Sequence, residues 1–426
     1  MVKTIGIVGI GKLGFCIAQA FNFRGFDVIA YDVNSAVMTN NPRPFIEQGP
    51  PGYTTLNEYL PHSTVRYGSL QEVTEQSDIV FIIVQTPHAE RSDGSYPLTE
   101  EQIIDFDYTF LEQVIKNLNG TVNRPLPIVI VSTVMPGTIR NLVLPIASPL
   151  LKIIYSPAFP AMTSCIPDFL DQEIYICGQH DLDAEKLVTE CYKQLNPDAI
   201  ILPMSIEDGE LTKISYNLWI SLKIEFSNIL AEICHKTPHA NVTNVTEALK
   251  KCTTRLVSSR YMNAGLPDAG PCHSRDVISA SAFTKQHNLS TDLFTWLMQS
   301  REKRCNWLTQ VLEYANLDRL PYLFLGYAFK PNCNITQGSS ALLSYRIMQQ
   351  RNPGAVYILW DPYVDTTPMP DFTKPHAVFL GVQHGLFAQF DFTPKSVILD
   401  PFNFFISRKD EFYSKEIKYI SIGVLN

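Results

Sequence analysis

Residues 3–34 read KTIGIVGIGKLGFCIAQAFNFRGFDVIAYDVN. The stretch parses as a strand, a G-x-G-x-x-G turn made by Gly9, Gly11 and Gly14, a helix, and a second strand ending in Asp32. Glycines in such a turn let backbone N–H groups and the helix N-terminus approach a pyrophosphate, and an acid after the second strand can accept hydrogen bonds from an adenosine ribose. An acid at that place repels a 2′-phosphate, so the pattern predicts NAD. The glycine triplet alone is a weak signal. Its register with strand, helix, strand and acid makes an N-terminal dinucleotide-binding unit the expected fold.

Three further strands follow in TVRYG, SDIVFIIVQTP and LPIVIVSTVMPGT, continuous apolar runs of the kind a parallel sheet covered by helices requires. Ligands bind at the C-terminal ends of strands in open α/β sheets, so Thr86, Pro87 and Thr133 are expected to border the nicotinamide side of the cleft, although each threonine also reads as an ordinary turn residue. RSDGSYPLTEEQIIDFDYTFLEQVIKNL is a flexible connection followed by a crossover helix. KIIYSPAF is another strand leading into the loop AMTSCIPDF, and EIYICG closes the unit near Gly178. The last part of the chain alternates again, with PYLFLGYAFKPN, AVYILWDPYV ending at Asp361, HAVFLGV, SVILDPF and IKYISIG as strands, and lacks a second G-x-G-x-x-G. Lys330, at a strand end there, is placed to face a phosphate of a nucleotide-bearing ligand, or is a solvated turn lysine. The expected architecture is α/β, two Rossmann-like parallel-sheet domains joined by a long central helix and a helical middle domain, divided as 1–200, 201–310 and 311–426.

The central helix is SIEDGELTKISYNLWISLKIEFSNILAEICHK, residues 205–236, capped by Ser205 with Asp208 and stopped before Pro238. It would span roughly 45 Å. Apolar residues on nearly every face, among them Leu211, Ile214, Leu218, Ile220, Phe226, Ile229 and Ile233, predict burial between domains or subunits. Lys213, Asn217, Ser221 and Asn228 lie close to one line, and a buried ammonium beside a buried amide needs partners or a job, unless Lys213 snorkels to the surface. VTNVTEALKKCT is a second, amphipathic helix. The irregular run from Arg255 then carries Cys272 between Pro271 and His273, with Asp276 one turn beyond. A cysteine at a helix start in an exposed loop has its thiolate favoured by the helix N-terminus; an inert thiol fits the same local pattern.

Composition sets bounds on partners. The chain of 426 residues carries 34 Lys and Arg against 42 Asp and Glu, a net charge of −8, with no basic cluster, which disfavours a nucleic-acid or anionic-membrane surface. There is no run of 18 apolar residues, and the first residues form a strand and not a signal peptide, which predicts a cytoplasmic protein. Nine cysteines lie as singlets without metal-ligand spacing, so no metal site is expected.

Taken in succession, GIVGIGKLG, VQTP, STVMPGT, ELTKISYN with LKIEFSN, GPCHSRD, GYAFKPN and WDP make the chain resemble the nucleotide-sugar 6-dehydrogenases, the family of UDP-glucose, UDP-N-acetylglucosamine and GDP-mannose dehydrogenases. The resemblance runs along nearly the whole chain. It implies a homodimer with NAD in the first domain and a nucleotide-sugar substrate in the last, and four-electron oxidation of a sugar C6 alcohol to a carboxylate through an aldehyde and a cysteine thioester. Polysaccharide biosynthesis or a sugar-modified metabolite would be the usual destination. By position Cys272 matches the nucleophile, Lys213 and Asn217 the donors to the developing oxyanion, and Asp276, with Thr133, the groups that position a water.

The same resemblance exposes departures. SPAFPAMTS stands where the family has a motif like NPEFLREG, so Ala158 and Met162 replace two glutamates. AGPCHSRD places His273 beside the nucleophile, as a base or a bystander, and Arg275 where a lysine is expected. Phe402 stands where an arginine would meet the ligand, which implies weaker binding of the usual UDP-sugar or another ligand. The alternatives are a two-electron oxidation, an unusual nucleotide sugar or nucleoside, or a non-catalytic NAD-binding homologue.

Overall fold

The structure, a computed structural model, describes residues 2–179, 181–253, 260–261, 263–286, 292–366 and 368–424. Of the run from Arg255 read as irregular, residues 255–259 and 262 lie outside the described residues, as do the side chains of Ile229 and Ile233. The chain forms two compact units, one of Met1–Pro87 with Phe106–Ser215, the other of His88–Asp105 with Tyr216–Asn426.

The first unit holds eight strands: β1 (Thr4–Val8), β2 (Asp27–Tyr31), β3 (Arg66–Tyr67), β4 (Ile79–Ile82), β5 (Leu126–Ile130), β6 (Leu151–Tyr155), β7 (Tyr175–Gln179) and β8 (Ile201–Ser205). They lie in the order β3-β2-β1-β4-β5-β6-β7-β8, parallel throughout except where β7 runs antiparallel to β6. Successive residues of each strand feed opposite layers. Ile7, Phe81 and Val129 join one core with Phe15, Phe21 and Tyr192, while Val80, Ile82 and Ile130 join another with Leu111, Leu118 and Ile139. That two-sided burial is why the strands read as unbroken apolar runs.

EIYICG is β7, but the unit does not close there. The helix Leu182–Leu195 returns the chain to β8, which pairs parallel to β7. This strand escapes pattern reading because it is an edge: Leu202 and Pro203 are exposed, and a proline is tolerated only where no neighbour needs its missing N–H.

The second unit contains a five-stranded parallel sheet, β9 (Tyr322–Leu325), β10 (Tyr357–Trp360), β11 (Ala377–Leu380), β12 (Val397–Asp400) and β13 (Lys418–Ser421), ordered β10-β9-β11-β12-β13. Phe324 and Phe379 stack with ring centroids 5.0 Å apart on one face, and Leu323, Leu325 and Val378 pack beneath the other. Helices Val242–Lys250, His273–Gln286, Leu293–Ala315 and Ser340–Arg351 belong to this unit.

The division between units falls within the helix Ile206–Lys236. Ser205 accepts a hydrogen bond from the Asp208 N–H at 3.0 Å, as its capping role requires. Complete burial of its apolar residues is not found. Ile214, Leu218 and Ile220 are buried, but Leu211 and Phe226 are each 52% exposed and Trp219 55%, because only part of the helix circumference meets the chain's own core.

The segment read as a flexible connection after Pro87 is also tied down. Within the second unit, Arg301 donates to the Gly94 carbonyl, Arg346 donates to that of Ser95 and lies 3.6 Å from the Tyr96 ring centroid, and Glu302 accepts from the Leu98 N–H.

Candidate active site

In the first unit, Gly9 has φ +91 and donates its N–H to the Tyr31 carbonyl at 2.9 Å. A Cβ on Gly14 would sit 1.9 Å from the Gly9 carbonyl oxygen, so the turn closes on the helix only with glycine there. Gly11 differs. Its φ of −60 suits any residue and a Cβ would meet nothing within 4 Å, so neither backbone nor packing explains it. Close approach by a bound group does, and that is the fit expected of a pyrophosphate at the N-terminus of the helix Lys12–Phe23. Asp32 accepts from the Ile10 and Asn34 N–H groups, both at 2.8 Å, one on each oxygen. Each oxygen has a second lone pair for a ribose hydroxyl. Gly11→Ala is therefore expected to keep the melting temperature and weaken NAD at least about tenfold in a fluorescence titration, whereas Gly14→Ala should lower the melting temperature. Equal NAD affinity in wild type and Gly11→Ala would contradict the placement.

Thr86 is buried and donates to the carbonyl of half-buried Thr133 at 2.8 Å, so these two strand-end threonines adjoin, with Pro87 next in the chain. The loop after Thr133 is gripped by Glu210 of the long helix, which accepts from the Gly137 and Ile139 N–H groups at 2.6 and 2.8 Å. Burial pushes the Glu210 carboxyl up to about 7, against the pull of those two donors. Glu210 stands three residues before Lys213 on the polar stripe of the helix, a periodicity that could have singled it out.

Lys213 does not snorkel. It is 9% exposed, donates to the Ala158 carbonyl at 2.8 Å, and holds its ammonium 4.9 Å from the Phe159 ring centroid. Thus the residue standing where a glutamate is expected offers Lys213 a backbone oxygen.

The rest of the stripe falls in the second unit and sews down the loop before the cysteine. Asn217 donates to Asp276 and Ser221 to Asp268, while Asn228 accepts from the Gly265 N–H at 2.9 Å and donates to the Leu266 carbonyl at 3.3 Å. Cys272 is half-buried, and its carbonyl accepts the Asp276 N–H at 2.8 Å as the first bond of the helix His273–Gln286. Its thiol therefore sits at the helix N-terminus, where the macrodipole favours the thiolate. Asp276 is wholly buried, with one oxygen on Asn217 and the other accepting Nε and Nη2 of Arg275 at 3.0 and 2.9 Å. His273 pairs through Nδ1 with Asp268 at 2.8 Å.

The NAD-binding domain of the UDP-glucose/GDP-mannose dehydrogenase family matches residues 3–196, and the central domain of the same family matches residues 207–303, together more than half of the chain. The chain belongs to this family. A GDP-mannose 6-dehydrogenase of Pseudomonas putida is 26% identical over 343 residues, covering 76% of this chain and 74% of its own length. The UDP-glucose 6-dehydrogenase TuaD of Bacillus subtilis is 24% identical over 371 residues, 85% and 76% of the two chains. Among solved structures, a UDP-glucose dehydrogenase from Pyrobaculum islandicum superposes with a TM-score of 0.78 at 22% identity, covering 100% of this chain and 98% of that one, a likeness of fold. As a UDP-glucose/GDP-mannose dehydrogenase family member the chain is an NAD-dependent oxidoreductase.

Several features of this family member lay beyond sequence reasoning. Lys330 is half-buried in the second unit, its ammonium 5.5 Å from the Phe329 ring centroid. Asp361 is a structural node: it accepts from the N–H groups of Tyr327, Ala328 and Tyr363 and pairs with His384 at 3.1 Å. Phe402 packs so closely on Gly265 that a Cβ there would meet its ring at 2.5 Å, so the phenyl group serves packing where a guanidinium is expected. The cysteines are not all isolated. Cys16 and Cys165 come together with Glu47, their ligand atoms within 4.8 Å of one another, and Glu47 accepts the Cys165 and Thr163 N–H groups at 2.6 and 3.2 Å. A hydrogen bond with Cys165, then burial, pushes the Cys16 thiol well up, which describes a packed, protonated Cys16. No helix among the described residues is long and apolar enough to cross a membrane.

Proposed function

We propose that this protein oxidises the C6 alcohol of a nucleotide sugar to the carboxylate, with Cys272 carrying the acyl group as a thioester. The observation that carries the proposal is the placement of Cys272 at the N-terminus of a helix whose first-turn acid, Asp276, is hydrogen-bonded to Asn217 of the long helix. A thiolate there attacks the aldehyde carbon, the oxygen of the adduct takes up negative charge as the carbon–sulfur bond forms, and that charge returns to a C=O bond as hydride leaves. Lys213 and Asn217, one turn apart, are the donors to that oxygen, and Asp276 with Thr133 positions the water. NAD, when bound, accepts hydride in each of the two oxidations. Relatives named as acting on UDP-glucose and GDP-mannose support the substrate class. The exposed Leu211, Trp219 and Phe226 of the long helix support a homodimer, and a cytoplasmic location belongs to the same reading.

A second reading, oxidation that stops at the aldehyde, is favoured by Ala158, whose methyl group can neither take a proton nor orient a water. NADH yield decides between them. Limiting UDP-glucose, UDP-N-acetylglucosamine or GDP-mannose is expected to give two NADH and a uronic acid per sugar. One NADH with a released aldehyde would establish the second reading, and none with any sugar while NAD still binds would remove the catalytic proposal.

A further inference from the structure

We infer that His273, held by Asp268, is the general base that releases the product acyl group from Cys272, the task for which Ala158 leaves no carboxylate. The inference rests on the thioester reading above. His273 follows the nucleophile in sequence and opens its helix, with 19% of its side chain exposed. Its Nδ1 lies 2.8 Å from Asp268 Oδ1, and the other Asp268 oxygen accepts from Ser221 of the long helix. The Asp268 backbone carbonyl accepts Nε of Arg301 at 2.7 Å and the Ser340 hydroxyl at 3.0 Å. Ser221 thus fixes the carboxylate that orients the imidazole, and two further helices hold the Asp268 backbone.

The chemistry of the pair follows from that setting. Burial pushes the Asp268 carboxyl up, but His273, Ser221 and Arg301 together hold it below its ordinary range. An anion bound to Nδ1 keeps the proton of the neutral imidazole on that nitrogen and makes Nε2 the basic one. Behind Asp268 a small cavity lined by Ser221, Glu225, Asp268, Ser274 and Arg301 has room for a water molecule, which would give the buried Ser274 hydroxyl its missing partner and hydrate the carboxylate. The neighbouring charged groups are poor rivals as base. Arg275 and Arg301 are guanidinium ions, Asp276 is committed to Asn217 and Arg275, and Glu225 accepts from Ser300. Imidazole alone among these has an ordinary range near neutrality.

In the step assigned to His273, a water O–H bond breaks and its proton passes to Nε2 as the water oxygen bonds to the acyl carbon. The carbon–sulfur bond then breaks with its electron pair on Cys272, the carboxylic acid formed loses its remaining proton to solvent and leaves as the carboxylate, and His273 passes the proton it took to solvent as well. No electrons pass to or from a cofactor. Asp268 acts through His273 and is a positioning residue.

The test uses the full chain with NAD and UDP-glucose or GDP-mannose, read by NADH formation and by the intact mass of acid-quenched protein. His273→Phe is expected to release a burst approaching two NADH per site, then turn over about 10²- to 10⁴-fold more slowly than wild type, with the sugar acyl mass retained on Cys272 and cleared by hydroxylamine. Asp268→Asn should show the same retained mass with a smaller fall. The acid limb of the wild-type kcat profile, set by His273 among Asp268, Arg275, Asp276, Arg301 and Glu225, should vanish in His273→Phe. His273→Gln, which keeps a donor for Asp268, replaces His273→Phe if the latter does not fold. Wild-type rates in the folded His273 variant, or slowing without retained acyl mass, overturn this inference alone. A wild-type protein that forms no NADH from either sugar overturns the dehydrogenase reading and this one with it.

Discussion

Cys272→Ala is expected to lower kcat at least about 10³-fold with any sugar that wild type oxidises, and to cut the NADH yield from two per sugar to at most one. The first oxidation removes hydride from an alcohol and needs no thiol. The second needs a tetrahedral adduct, and without Cys272 the only nucleophile is water, in a setting where removal of an enzyme nucleophile has been worth on the order of 10⁶ in rate. The substitution is mild for the fold. Cys272 is half-buried and its contribution to the helix His273–Gln286 is made by its backbone carbonyl, so loss of the side chain at a helix start should cost no more than about 1 kcal/mol. The melting temperature should stay within a few degrees while activity disappears. Cys252, whose thiol is exposed, provides the control: Cys252→Ala should turn over as wild type. An unchanged yield of two NADH in Cys272→Ala would end the thioester mechanism, because the protein would then be oxidising an aldehyde hydrate without covalent help.

How much of this was legible beforehand depends on the range of the interactions involved. Gly9, Gly11, Gly14 and Asp32 could be read because a turn, a helix start and a strand end are determined within about thirty consecutive residues. The polar stripe of the long helix could be read because i,i+4 spacing is local, and each of Lys213, Asn217, Ser221 and Asn228 is buried on a partner. Partner identity was not local. That Asn217 meets Asp276 and Ser221 meets Asp268 is decided by how a loop returns to the helix, and no periodicity encodes it. The pairing of Cys16 with Cys165 was hidden for the same reason, and the helix Cys165–Leu170, which carries the second cysteine, had read as part of the loop AMTSCIPDF. β8 was lost because an edge strand can hold Pro203 and leave Leu202 exposed, and the exposure of Leu211 and Phe226 because an apolar residue on a helix states a preference for burial without naming what covers it.

Lys213→Met is expected to lower kcat about 10²- to 10³-fold, the usual effect of deleting one oxyanion donor, with little change in KM. The ammonium is buried, on the Ala158 carbonyl oxygen and beside the Phe159 ring. Methionine keeps the apolar stem and its packing. Leaving the Ala158 carbonyl without its donor costs about 1–3 kcal/mol, which a melting curve reads separately from kcat. Lys213→Arg is the sharper control. It keeps the charge but replaces a compact ammonium by a planar fork of different reach and geometry, so it should leave KM unchanged without recovering rate. A variant whose KM rises while kcat holds would place Lys213 on the ground-state substrate. An unchanged kcat/KM would leave the buried ammonium a structural group, and Asn217 would then be the donor on which the oxyanion depends.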